Sequence, residues 1–469
     1  MMTDRLSAAN ETQKAQEYNL LLRKGQWPQT VFFFSLLLCI CLLAACSSGP
    51  QKAEVVNELP AIYPDYVEVT IPVGIAPLNF AMADDSVTAI DVEVNGAWGG
   101  TLHSKGACTD FDTEIWHAMV KQNRGGQLNV TVCAKRDGKW KRYRDFCIHV
   151  SKTALSDWGI TYRHITSGQD KDSPMGLYER ELSTFEEKSL LDQDTDEDTM
   201  VYHYWHPGGR YCAFSTNKTS QMFHIKKENN VEVYDSSSDV FVYDTETHQI
   251  VNDTLIMKKN WAENCPAFSP DGKWLYFTTA RRQVYPNDYD KERYSLCRVS
   301  FDPATGHIGQ KVDTLVNAPA EGKSVSWPRP SYDGRFLMYT LADYGYFTIW
   351  HPESDLWLLD LKTGLSRSLD TVNSSQADSF HNWSSDSQWF LFTSRRDDGR
   401  YSRIYFSSIG PDGRATKPFM LPQRDPKQFY TQSLYSYSTP DFTSRPVGND
   451  TQAQIKALES RERIPTVLK

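Results

Sequence analysis

The 469-residue sequence holds nine cysteines but no CxxC, no CxxCH and no paired zinc spacing. A zinc ribbon, an attached haem and a thioredoxin-like dithiol therefore lack their ligand patterns. A G-x-S-x-G nucleophile elbow is missing, so a propeller-linked peptidase has no catalytic turn. The sialidase repeat S-x-D-x-G-x-x-W is missing too, since "SPDGKW" at 269–274 does not fit its spacing. Basic excess is lacking: 50 Lys plus Arg face 59 Asp plus Glu, for a net charge of -9. That balance argues against a nucleic-acid surface. No apolar run reaches the roughly 20 residues that span a bilayer as a helix. Aromatics, by contrast, make up 13% of the chain, and Gly and Pro recur at short intervals. Many short strands joined by turns suit that mixture better than long helices.

The N-terminus reads as an address. Residues 31–45, "VFFFSLLLCICLLAA", form an apolar run of signal-peptide length behind Arg23 and Lys24. The run ends in Leu43-Ala44-Ala45-Cys46, which resembles the bacterial lipoprotein box. The resemblance implies cleavage before Cys46 and acylation (palmitate included) of its thiol and new amino group, and three acyl chains anchor a protein stably. On this reading 1–45 is a signal peptide and 46–59 a flexible tether. Ser47 rather than an acidic residue follows the cysteine, which points to the outer membrane, with the facing side left open.

The rest of the chain repeats itself. "WHPGGRYCAFST" starts at Trp205, "AFSPDGKWLYFTT" at Ala267, "RPSYDGRFLMYTL" at Arg329 and "NWSSDSQWFLFTS" at Asn382. A partial copy, "YSTPDFTSRP", starts at Tyr437. Aligned turn positions Gly208, Asp271, Asp333, Asp386 and Asp441 lie 53 to 63 residues apart. Each copy predicts a strand, a Pro/Asp/Gly turn, an alternating strand and then two more strands with a Thr/Gly or Asp/Gly turn. Four strands per unit at this period is the pattern of propeller blades. Residues 158–195 supply three strands with no first strand, and "TPDFTS" supplies a first strand with no followers. Together they predict a composite blade that closes the ring.

The expectation is an all-β chain: a β-propeller of four-stranded blades, five with six possible, over 157–445. A small immunoglobulin-like β-sandwich over 60–152 precedes it, with "DFDTEIWHAMVKQN" as one short helix and Asp137-Gly138 as a hairpin turn. Residues 446–469 form a tail. The six cysteines after residue 100 read mostly as free thiols.

The "FSPDGKWLYFT" and "DLWLLDLKTG" pattern resembles the TolB-like six-bladed propeller repeat. A nearer likeness is to a group of Bacteroidales lipoproteins of this repeat class, carried by "YPDYVEVTIPVGIAPLNF", "SKGACTDF", "MGLYERELSTFEE" and "FHNWSSDSQWFLFTSRRDDGRYSRIYF". The resemblance implies fold and location more than activity. Relatives often carry a CxxCH segment where this chain has "DQDTDEDTMVYHY", so no haem inference transfers.

Long connections between second and third strands, and between blades, meet on one face and predict a funnel there. Its candidate ligand-binding residues are His203, His206, Lys218, His224, Arg281, Arg282, Arg329, His381, Arg395 and Arg396. Arg forks and aromatic plates suit an acidic glycan or a carboxylate-bearing peptide. No catalytic residue, cofactor or resident metal is implied. The favoured expectation is a membrane-anchored, non-catalytic scaffold for an envelope protein or glycan. The alternative is a polysaccharide lyase, or other glycan-active enzyme, using His203, His206, His224 and His381 on the axis.

Overall fold

The computed structural model describes residues 50–166, 176–192, 203–223, 231–285 and 287–448, with parts of 453–468. The expected signal peptide, Cys46 and His224 lie outside the described residues.

Five sheets form the blades of a propeller, four of them four-stranded and one extended to five by a tail strand. The repeated Ser-x-Asp turn shows why. Ser269 Oγ donates to Asp271 Oδ1 at 2.5 Å and accepts from Trp274 N at 3.0 Å, while Asp271 accepts from Lys273 N. Ser331 with Asp333 and Ser384 with Asp386 repeat the same set. Gly272 and Gly334 take φ near +70°, which glycine adopts without a Cβ penalty. The side chains thus tie off the polar backbone of the turn and launch the next strand in register.

The first four inner strands are His203–Trp205, Trp261–Phe268, Ser324–Pro330 and Asp378–Trp383. The fifth, Tyr435–Thr443, pairs with Gly159–Thr166, which continues to Gly176–Glu181 and Glu187–Asp192. The composite closing blade read from the sequence is the one the chain forms. Beyond it, tail strand Val467–Leu468 pairs in parallel with Gln249–Val251, the outer strand of the first blade.

Four inner strands carry a bulge with a non-glycine residue at positive φ: Cys265, Trp327, Phe380 and Thr439. The bulges belong to a set of hydrogen bonds between blades. Trp327 Nε1 donates to His381 O at 3.1 Å, Trp383 Nε1 to Arg329 O at 3.0 Å and Asn382 Nδ2 to Pro440 O at 2.6 Å. These bonds offset the local cost of a left-handed backbone, about 1–3 kcal/mol each.

The immunoglobulin-like sandwich takes a different form. Strand Gln127–Arg136 is longer than either partner on one side, pairing with Phe146–Ala154 along its first half and Lys139–Arg142 along its second. The result is one branched seven-stranded sheet beside a two-stranded ribbon. Helix α1 (Thr113–Gln122) is capped by Asp112, which accepts from Ile115 N, and buries Trp116, Met119 and Val120. The domain shares one apolar core with the last and closing blades, from Phe80 and Trp116 through Trp389 to Tyr437. Tyr66 Oη donates to Met420 O, and Lys417 Nζ meets Asp65 Oδ2 at 2.7 Å. The six described cysteines are free thiols.

Candidate functional site

The ring has a face of tight Ser-x-Asp hairpins and a face of long loops. The ten candidate residues do not share one of them. Arg281, Arg282, Arg395 and Arg396 end or follow second strands and so belong to the loop face, while Lys218 is exposed on the long hairpin built from Tyr211–Phe223. Arg282 pairs with Asp239 at 3.6 Å. Arg395 is buried, stacks its guanidinium 3.7 Å over Trp350 and is pulled down to about 10 by that burial. Arg396 binds buried Asp378 at 2.8 Å and Val372 O at 2.7 Å. Three of the four guanidinium groups are thus engaged internally, which corrects the expected funnel of open forks.

His381 is a further correction. The inner strand begins at Asp378, three residues before it, so His381 sits inside the ring wall and is fully buried. Burial pushes its imidazole down to about 3, leaving it neutral at physiological pH. His206 lies on the opposite face from the one expected. Its Nδ1 accepts from Gly208 N and its Nε2 lies 3.1 Å from Gly272 O, so a neutral ring with its proton on Nε2 pins two neighbouring hairpins together. His203 opens the inner strand of the first blade. Among the described residues no three His, Cys, Asp or Glu side chains are grouped to hold a metal.

Arg329 also belongs to the hairpin face, at the far end of its inner strand, where a cavity of about 380 Å³ lies within the inner ring. Residues from all five blades line it, including Tyr204, Trp205, Phe268, Arg329, Asn382 and Asp441. Arg329, Asn382 and Asp441 occupy equivalent positions, each two residues beyond a positive-φ bulge residue. Arg329 Nε donates to Asn382 Oδ1 at 3.1 Å and Nη1 to Pro328 O at 2.9 Å, with the guanidinium 4.0 Å over the Trp327 ring. Asp441 lines the cavity and is exposed to it. Desolvation raises its carboxyl to about 6, with Arg329 opposing the rise and Asp157 adding to it. Trp205 and Tyr332 stand at the mouth, 51% and 54% exposed.

Asn382, Tyr332, Tyr204 and Asp441 were not among the candidates. The repeat alignment places Asp441 in the hairpin turn, but it precedes that position, inside the strand. The signal that could have found it is the spacing from Pro440, which matches Pro266 and Pro328 in the same bulge.

No protein-family model matches this chain, and no curated protein sequence does. Solved structures similar to it include TolB from Acinetobacter baumannii, at 13% identity over 76% of this chain and 67% of that one, with a TM-score of 0.32. The periplasmic gluconolactonase of Pseudomonas aeruginosa shows 12% identity over 76% and 100%, with a TM-score of 0.31. An oligogalacturonate lyase from Vibrio parahaemolyticus shows 11% identity over 72% and 97%, with a TM-score of 0.28. At these identities and TM-scores the likeness carries nothing about activity.

Proposed function

We propose that this chain is a lipid-anchored envelope protein whose propeller binds a protein partner at the hairpin-face cavity without catalysis. One observation carries the reading: Trp205 and Tyr332 stand exposed over a floor of Arg329, Asn382 and Asp441. Exposed Trp and Tyr beside the buried polar pair Arg329 and Asn382 is the composition of an interface hot spot. The polar trio engages itself and the backbone, which suits recognition more than nucleophilic or acid–base chemistry. An acidic glycan is less well served, since a carboxylate lies in this cavity and most loop-face arginines are internally paired. The Leu43–Cys46 box and the resemblance to Bacteroidales lipoproteins support the anchor.

The test is an affinity capture from crosslinked envelopes, comparing the native protein with a Trp205→Ala/Tyr332→Ala variant. Both side chains are about half exposed, and a urea-unfolding curve of the variant checks that it is folded under the capture conditions. A stoichiometric protein lost with the variant supports the proposal. A partner retained by the variant moves the site elsewhere. If neither form captures protein and a polysaccharide panel binds, the glycan reading replaces it. Mass spectrometry of the N-terminal peptide separately tests acylation of Cys46.

A further inference from the structure

The most cationic stretch of this acidic chain lies outside the propeller. Residues 135–144, "KRDGKWKRYR", place six Lys and Arg in ten positions against one Asp, in a protein of net charge -9. They form the hairpin between strands Gln127–Arg136 and Lys139–Arg142, turned by Asp137 and Gly138 at φ 49° and 77°. Arg136 pairs with Asp84 and Arg142 with Asp145. Lys135, Lys139, Lys141 and Arg144 have no ion pair among the described residues, and the last three are exposed. Trp140 lies opposite Lys135 across the hairpin, with Lys135 Nζ 6.0 Å from its ring, and points to the other sheet face from Lys139 and Lys141.

The start of the fold lies against this hairpin. Strand Glu54–Val55 pairs in parallel with it, Glu54 opposite Lys141 and Val55 opposite Arg142. Because the pairing is parallel, the chain before residue 54 runs back toward the Asp137-Gly138 tip, and the turn Pro50–Lys52 packs on the same strand. Four residues' advance separates Cys46 from Pro50, a reach of about 14 Å when fully extended. That distance is comparable to the Debye length of roughly 8–10 Å in physiological salt.

We infer that the 135–144 hairpin is a membrane-facing surface that engages anionic phospholipid headgroups of the leaflet holding the anchor. The inference rests on the reading that Cys46 is acylated. The anchor supplies affinity, and the exposed cations supply orientation: they hold the N-terminal domain tip-down, so the fused propeller takes a defined attitude above the bilayer. A lipid chain plus a basic patch is the two-signal arrangement that fixes peripheral proteins to charged membranes.

The experiment reconstitutes the native lipoprotein into vesicles of phosphatidylcholine with or without phosphatidylglycerol, and measures amine acetylation lysine by lysine. Lys139 and Lys141 should be protected about fivefold or more by the anionic lipid, with protection lost near 0.5 M salt as screening shortens the Debye length. Exposed Lys362 on the propeller is the control and should not change. A Lys139→Glu/Lys141→Glu/Arg144→Glu variant keeps both hairpin ion pairs; it should stay vesicle-bound through the anchor yet lose the lipid-dependent orientation, read by fluorescence transfer from a propeller label to a headgroup dye. Equal lysine protection in both lipids, or an unchanged orientation in the variant, overturns the inference. If mass spectrometry finds no lipid on Cys46, the anchor reading fails by itself. Cosedimentation with phosphatidylglycerol vesicles then reads the hairpin alone, and absence of binding overturns the inference as well.

Discussion

Glu263 offers a quantitative test of how the ring wall is held. It lies in the inner strand Trp261–Phe268 with 1% of its surface exposed. Its carboxylate accepts from Thr279 Oγ1 at 3.1 Å and Lys258 N at 3.3 Å. Desolvation outweighs both bonds and pushes the carboxyl from 4.5 to about 7, with Asp239 adding to the rise and Arg282 opposing it. The folded protein therefore holds this proton more tightly than the unfolded chain does. Its contribution to stability falls as pH rises from about 4.5 to about 7 and is flat above. The displacement corresponds to about 3 kcal/mol at pH 8 and under about 1 kcal/mol at pH 5. Glu263→Gln keeps an acceptor for Lys258 N, and the Thr279 hydroxyl can turn to accept from the new amide. The variant should exceed the native protein in urea-unfolding free energy by up to about 3 kcal/mol at pH 8, with the gap closing toward pH 5. Groups common to both proteins cancel in that difference. A gap of equal size at both pH values would refute the desolvation argument.

Arg396→Ala leaves the fully buried Asp378 without its 2.8 Å partner, and the urea midpoint should fall by the equivalent of about 3 kcal/mol or more. An Arg396→Ala/Asp378→Asn double variant should recover part of that loss. Gly272→Ala puts a Cβ 2.1 Å from His206 Nε2 at φ +68°, so it should cost at least about 2 kcal/mol and raise hydrogen exchange in both hairpins. Deleting 435–469 removes the inner strand of the closing blade; near-UV circular dichroism should lose its cooperative thermal transition. Deleting only 449–469 should preserve that transition.

The turn grammar was legible because it is local: Ser and Asp two residues apart tie off three hairpins, and His206 accepting from Gly208 N closes the fourth, so four turns announced four blades. Closure was legible by subtraction, from three strands without a beginning and one without a continuation. The site was harder. Cys265, Trp327, Phe380 and Thr439 adopt positive φ without being glycine, and side chains of neighbouring blades bond the backbone beside the last three. That hidden bulge shifts the register by which Asp441 reaches the cavity and His381 is buried. Arg395 and Arg396 looked like a cationic rim, yet Trp350 and Asp378, distant in sequence, absorb them. Charge patterns read along one strand cannot reveal partners supplied by another segment.

The shared core between the N-terminal domain and the last blades has a kinetic consequence. Ala76 N bonds Leu182 O, Asn79 Nδ2 bonds Arg424 O and Lys427 Nζ bonds Met82 O, contacts that join segments up to 345 residues apart. Contacts of such separation slow folding, because loop-closure entropy must be lost before they can reward it. The earliest-made domain cannot complete its seat until the last blade exists. During synthesis the chain therefore spends its longest exposed interval with apolar surfaces open at both ends, and a prematurely terminated product leaves the first domain uncovered as well as the ring unclosed. Such products present the unpaired strands and apolar faces that proteases and holding chaperones bind.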